Sequence, residues 1–167
     1  MIFLKEANLE DIEKEYLFVR DMPIDENGFT NEWYGVARED FEEKSLKTMI
    51  AYSKGEQLPE GFVPETFLFL WDDNEIVGLF RIRHFLCESL REGAGHIGYF
   101  IEKKYRGKGY GIEGLRLALQ IARTIIPEEE IYLRVSKDNI ASLKVMQHNG
   151  GYISYEDDYK YYVRIKK

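Results

Sequence analysis

The stretch "KKYRGKGYGIEGLRLAL", Lys103 to Leu119, restricts the possible folds of this chain more than any other. Gly107, Gly109, Gly111 and Gly114 lead into or begin an apolar segment with helical spacing, and Lys103, Lys104, Arg106 and Lys108 stand just before it. The residues ahead of it, "HIGYFIEK", read as a strand. The order is strand, glycine-rich turn, helix. Glycine lets a backbone take positive φ and approach a ligand closely. The first turn of a helix leaves its N–H groups unpaired, at the positive end of the helix dipole. Together these shape a site for a phosphate or pyrophosphate. The competing reading is a flexible basic turn.

Two common phosphate motifs fit poorly. A P-loop needs four residues between its glycine and Gly-Lys-Ser/Thr, and that pattern is absent. Gly109 to Gly114 does spell G-x-G-x-x-G. However, the strand ends several residues too early, and hairpins precede it instead of a parallel β-α-β unit. A nicotinamide or flavin enzyme is therefore a distant third reading.

The rest of the chain reads as β-α-α-β-β-β-α-β-α-β-β, an α+β (mixed α/β sheet) domain with helices on both faces. "MIFLKEA" is an opening strand. Asn8 is placed to cap "LEDIEKEYLFVRD", which Met22-Pro23 ends. Residues 24–37 are aperiodic and carry Trp33 and Tyr34. "REDFEEKSLKTMIAYSKG" is amphipathic, with Gly55 as its stop. "TFLFLWD" and "EIVGLFRIRHFL" flank a turn at Asp73-Asn74. "CESLREGAG" is a loop. "EIYLRVSK" is a strand, "NIASLKVMQHNG" a helix, and "GYISYED" with "YKYYVRIKK" a closing hairpin.

The 167 residues suit a single domain over 1–167. A formal net charge of -7 argues against a nucleic-acid partner, because phosphate neutralisation needs a basic surface. The single cysteine, Cys87, permits no internal disulfide, which fits a reducing compartment. The N-terminus turns acidic too early for a signal peptide, and no apolar run approaches the ~20 residues of a membrane span. The expectation is a cytoplasmic protein with no membrane partner.

In a third register the motif is Arg106-x-x-Gly109-x-Gly111, following a strand that ends Tyr99-Phe100-Ile101. This resembles the acetyl-CoA-binding motif of the GNAT N-acetyltransferase family. A second element agrees: after "IYLRV" come Asn139 and Ser142 in an Asn-x-x-Ser pattern, closing with Gly151-Tyr152 at the next strand. The resemblance covers roughly residues 66–155, and "GHIGYFI" with "NIASLKVMQHNGG" is similar to a subgroup of predicted acetyltransferases.

The resemblance implies the GNAT fold, a central, mostly antiparallel sheet with a splayed parallel pair. It implies acetyl-CoA as cosubstrate; His84 and His96 lack further ligands at sensible spacing, so no metal is expected. The main chain of Tyr99, Phe100 and Ile101 would lie along the pantetheine arm. Arg106, Gly107, Lys108, Gly109, Tyr110 and Gly111 would hold the pyrophosphate. Asn139 caps its helix or also touches the cofactor, and Ser142 is the weaker of that pair. Trp33 and Tyr34 would wall the acceptor pocket, and Glu26, Glu32, Glu88 and Glu92 could rim it for a cationic amine. A small-molecule amine or a peptide N-terminus is the expected acceptor.

Acetyl transfer needs a neutral amine, and a lysine-like amine of pKa ~10.4 is almost wholly protonated near neutrality. A base should therefore lie close. Of the three histidines, His96 is the candidate, with His84 able to approach it across a hairpin. Many family members carry a tyrosine acid seven residues after the asparagine; here Met146 stands there, and a thioether donates no proton. Tyr152, Tyr155 and Tyr110 are substitutes among twelve tyrosines. Arg134 occupies the position where some relatives carry a base glutamate. The leading reading is a direct amine acetyltransferase. The alternative is an acyl-CoA-binding or sensing module of weak activity. The tyrosine-rich closing hairpin offers an edge for a homodimer.

Overall fold

The computed structural model describes residues 1–167. Strand β1 (Ile2–Glu6) and helix α1 (Ile12–Asp21) open the chain. Asn8 supports the entry to α1, its side-chain oxygen accepting from the Asp11 N–H at 3.0 Å. Residues 24–37 hold a small hairpin, β2 (Asp25–Glu26) and β3 (Phe29–Thr30). Its turn, Asn27-Gly28, has positive φ at both residues (53° and 84°). Asn-Gly favours that geometry, and two-residue strands are too short to show alternation. Next come α2 (Arg38–Phe41), a π-helical segment at Glu42–Leu46 and α3 (Lys47–Ser53) in one continuous run.

β4 (Glu65–Asp72) and β5 (Glu75–Arg83) form the long central hairpin, with Asp73 at φ 52° in the expected turn. Short α4 (Glu88–Arg91) lies in the segment read as a loop. β6 (Ile97–Ile101), a 3-10 turn at Lys103–Tyr105, and α5 (Tyr110–Ile125) carry the glycine motif. β7 (Glu130–Ser136), α6 (Ile140–His148), β8 (Tyr152–Glu156) and β9 (Lys160–Lys166) complete the order. No helix is long and apolar enough to cross a membrane.

Period-2 alternation sorts β4 between two cores. Leu68 and Leu70 pack with Leu115, Ala118, Leu119 and Ala122 of α5. Phe67, Phe69 and Trp71 face the opposite way, onto Phe18 of α1 and Met49 of α3. The central sheet parts at the splayed pair into two hydrogen-bonded sheets. One sheet runs β1-β4-β5-β6 and the other β7-β9-β8, every pairing antiparallel. They meet at one place, where the His96 N–H donates to the Tyr132 carbonyl at 2.7 Å. Beyond that tie β6 and β7 run the same way and diverge, since the residues that follow on each line one cleft.

Gly114 explains how α5 lies so close to the sheet. A Cβ there would sit 2.5 Å from the Phe80 ring and 2.9 Å from Leu70. The fourth glycine of the motif therefore serves packing of helix on strand.

Candidate active site

The cleft between the diverging strands encloses about 580 Å³. One wall is the free edge of β6. His96 and Glu102 both bond to β5, through the Arg83 N–H to His96 O (2.7 Å) and the Glu102 N–H to Val77 O (3.0 Å). In an antiparallel ladder the even-numbered residues between them do the same, so the amides of Tyr99 and Ile101 turn to the open side. Ile97, Tyr99 and Ile101 direct their side chains to the α5 core, and Phe100 to the α1 side.

At the upper end lies the glycine turn. Gly107 and Gly109 take φ of 75° and 87°, and a Cβ at either would meet nothing within 4 Å. Both positions therefore need glycine for their backbone conformation, with open space before them. The first helical bond of α5 runs from the Glu113 N–H to Gly109 O. The backbone N–H groups of Gly107 through Ile112 have no backbone partner. That is a run of donors at the positive end of a 16-residue helix. Gly111, by contrast, packs closely on α6: a Cβ would approach Val145 to 3.2 Å.

The side chains around this turn are engaged. Arg106 donates to Ile101 O at 2.8 Å and forms a two-pronged pair with Glu26 of β2 at 3.0 and 2.9 Å. Tyr110 donates its hydroxyl to Asp72 at 2.6 Å, so what it brings to the cleft is main chain. Lys108 is exposed and lies 5.8 Å from the Tyr105 ring, outside the cleft wall. Asn139 caps α6, its side-chain oxygen accepting from the Ser142 N–H at 3.2 Å, while its amide NH₂ stays available on the cleft wall. Ser142 and Tyr99 join their hydroxyls at 2.6 Å across the opening from β6 to α6. Burial pushes the Tyr99 phenol up to about 12. The glycine turn, the β6 edge, Asn139 and Ser142 thus line one cleft.

His96 does not join them. Its ring is fully buried and off the cleft wall. Nδ1 accepts from the Tyr132 N–H at 2.8 Å and Nε2 meets Glu128 at 3.0 Å. With both nitrogens occupied, it has no free lone pair for an amine proton. Burial pushes its pKa down, against the pull of Glu128. His84 turns toward β4 instead, 2.7 Å from the Thr66 hydroxyl. Met146 is buried in the α5 core.

Trp33 and Tyr34 also lie elsewhere. Trp33 packs edge-on against Phe67 at 5.4 Å, and Tyr34 is exposed. The same segment reaches the cleft through Glu26, Phe29 and Thr30 of the small hairpin. Of the expected acidic rim, Glu88 and Glu92 lie off the cleft wall and the other two carboxylates are paired with arginines. Glu26 pairs with Arg106, and Glu32 reaches Arg81 at 3.2 Å. What was missed is a basic face. Arg81 and Arg83 of β5, Arg134 of β7 and Lys160 of β9 all line the lower cleft. Their alternate spacing was visible in each strand, but which strands lie side by side was not.

A family model described as an acetyltransferase (GNAT) domain matches residues 3–151. Solved structures with the same fold include an acetyltransferase of GNAT family from Streptococcus pneumoniae, at 18% identity over 98% of each chain, TM-score 0.62. The Campylobacter jejuni N-acetyltransferase PseH, in complex with acetyl coenzyme A, is 20% identical over 100% of this chain and 99% of that one, TM-score 0.61. The PaiA N-acetyltransferase from Thermoplasma acidophilum, in complex with coenzyme A, is 18% identical over 100% and 99%, TM-score 0.62.

Proposed function

The chain belongs to the GNAT acetyltransferase family, and from that premise we propose that it moves an acetyl group from acetyl-CoA to a primary amine within a ternary complex. One observation carries the reading: the unpartnered N–H run from Gly107 to Ile112 opens onto the free edge of β6. The amides of that run would hold the diphosphate, with Arg106 beside them once it leaves Glu26. The outward amides of Tyr99 and Ile101 would pair with the pantetheine arm as a strand would. Asn139 and Ser142 would border it from α6.

The chemistry then follows from charge. The amine nitrogen attacks the thioester carbon, a C–N bond forms and the C–S bond breaks. One amine proton leaves, and the sulfur departs as thiolate or takes up a proton. The oxyanion needs a preorganised donor, and an outward β6 amide would serve. A thiol of pKa ~8.5 is a fair leaving group, so a hydrogen-bond donor such as the Tyr99–Ser142 hydroxyl pair would suffice for it. Neither His96 nor His84 reaches the cleft wall, so solvent water would take the amine proton.

Calorimetric titration with acetyl-CoA tests the reading. Saturable heat is expected, and Gly109→Asp should remove it, since the new carboxylate adds charge repulsion to a positive-φ strain. Heat from neither protein, or equal heat from both, would refute it. A second reading rests on Met146 and the sequestered His96: an acyl-CoA-binding or sensing module with weak turnover. It would bind acetyl-CoA and release no thiol with any of a panel of amines.

A further inference from the structure

The chain carries a formal charge of -7, yet its cleft is basic. Arg81, Arg83, Arg106, Arg134, Lys144 and Lys160 line it, against the one carboxylate of Glu26. Arg106 and Glu26 cancel at the glycine end, and Lys144 belongs to α6. The remaining four stand together on the face turned away from α5. Arg134 and Ser136 alternate with Leu133 and Val135, which belong to the α5 core. Arg81 lies between the rings of Phe67 and Phe29, 5.1 and 6.0 Å from their centres, on the α1 side. Arg81 pairs with Gly98, and Arg134 is two residues past the tied Tyr132. Both therefore sit one strand repeat, ~7 Å, above the tie, where β6 and β7 begin to part.

Few carboxylates compensate this group. Glu65, itself buried, holds Arg81 at 2.6 and 3.0 Å and lies 3.8 Å from Arg83. Glu32 adds a contact to Arg81 at 3.2 Å. These two carboxylates neutralise at most two of the four. No carboxylate lies within 4 Å of the Arg134 guanidinium or the Lys160 ammonium; the ammonium donates to the Ser136 hydroxyl at 2.7 Å, and the nearby Asp157 carboxylate is taken up by the Lys160 backbone N–H and the Tyr162 hydroxyl. Behind them Arg164 is buried with its guanidinium 3.5 Å from the Tyr132 ring centre and no carboxylate beside it. Burial and the Arg81 charge push the Arg83 guanidinium down to about 10.

We propose that the acceptor is a primary amine that also bears an anionic group, a carboxylate or a phosphate, which Arg134 and Lys160 hold. This deepens the acetyl-transfer reading and rests on it. Such a field repels a polycationic amine and attracts an anion into the cleft. It also disfavours the ammonium form of the bound amine, the protonation state that cannot attack. A cationic wall only half compensated thereby does part of what a general base would do.

Thiol release from acetyl-CoA should be followed with matched amines: β-alanine against β-alaninamide, O-phosphoethanolamine against ethanolamine, and spermidine as a polycation. The anionic member of at least one pair should exceed its neutral partner at least tenfold in kcat/KM, with spermidine poorest. Which pair shows the gap tells carboxylate from phosphate. Arg134→Gln and Lys160→Gln should shrink that gap through KM for the amine, with KM for acetyl-CoA held within twofold. Equal use within both pairs, preference for spermidine, or a gap that survives both variants would overturn the proposal. If no amine turns over, melting of the CoA-saturated protein decides. β-Alanine or inorganic phosphate should raise its Tm where β-alaninamide does not, and Arg134→Gln should abolish the difference; no anion-specific rise refutes the proposal. Acetyl-CoA calorimetry without amine reports separately on the acetyl-transfer reading.

Discussion

His96 and Tyr132 exchange two hydrogen bonds where the two sheets meet, and one of the acceptors is a side chain. The His96 N–H donates to Tyr132 O at 2.7 Å, while the Tyr132 N–H donates to His96 Nδ1 at 2.8 Å. The imidazole takes the place that a strand carbonyl would hold. Gly95 lets the backbones come this close, since a Cβ there would collide with the Tyr132 carbonyl. Nε2 is anchored by Glu128, whose other oxygen accepts from the Leu86 N–H at 2.8 Å. The pair closes the bottom of the cleft, and above it the strands are free to part.

Replacing His96 by alanine should cost roughly 3 kcal/mol, because it leaves the Tyr132 N–H without its acceptor and opens a cavity. The acetyl-CoA affinity should fall with it. The pH profile of kcat should keep its shape, whereas loss of a catalytic base would remove a limb from it. Because the folded-state pKa of His96 lies below its ordinary value, its contribution to stability is present above ~6.5 and is lost as pH falls toward the folded value. Chemical denaturation of wild type and His96→Gln between pH 5 and 8 would show the acid-side loss in the wild type alone.

Arg106 is held by Glu26 in a two-pronged pair. An exposed pair of this kind is worth at most ~1 kcal/mol, so a diphosphate can compete for the guanidinium. Glu26→Gln should therefore tighten acetyl-CoA binding by up to about fivefold, within that ~1 kcal/mol. Arg106→Ala should weaken it about tenfold, the loss of a charge-assisted bond to phosphate. Calorimetry on the two variants checks both directions. Weaker binding in Glu26→Gln would show that the pair supports the site instead of competing with the ligand.

Glu15 is fully buried in α1, and burial pushes its carboxyl up to about 8. The Asn8 N–H, donating to it at 3.1 Å, favours the ionised form but does not outweigh burial. A carboxyl with a raised folded pKa stabilises the native state at acid pH. That contribution declines once pH passes the unfolded value near ~4.5 and is lost as pH rises through about 8. Glu15→Gln should remove a few kcal/mol of this pH dependence and melt higher than wild type at pH 8 to 9. A parallel pH–Tm curve for the two proteins would contradict it.

Two glycines of one motif should respond oppositely to alanine. Gly114→Ala drives a Cβ into the Phe80 ring, so stability should fall by ~1–3 kcal/mol despite alanine's better helix propensity. Cofactor affinity should change little among the molecules that fold. Gly107→Ala meets nothing but must hold φ near 75°, a strain of ~1–2 kcal/mol felt at the binding turn. There acetyl-CoA affinity should drop more than Tm. Thermal melting and calorimetry on both variants separate the effects.

Local physics was readable along the chain. The strand-turn-helix order, the positive-φ glycines and the Asn139 cap all follow from short-range spacing and backbone sterics. The Asn27-Gly28 turn is also a local signal, but its two-residue strands carry no alternation. What the residues did not disclose were relations between segments far apart in sequence. His96 pairs across 36 residues with Tyr132, and Arg81, Arg134 and Lys160 come from three separate strands. Side-chain charge and hydrogen-bonding capacity belong to each residue alone. Whether a histidine becomes a base or a strut, and whether scattered cations become a field, depends on what the fold places beside them and how much water it leaves there.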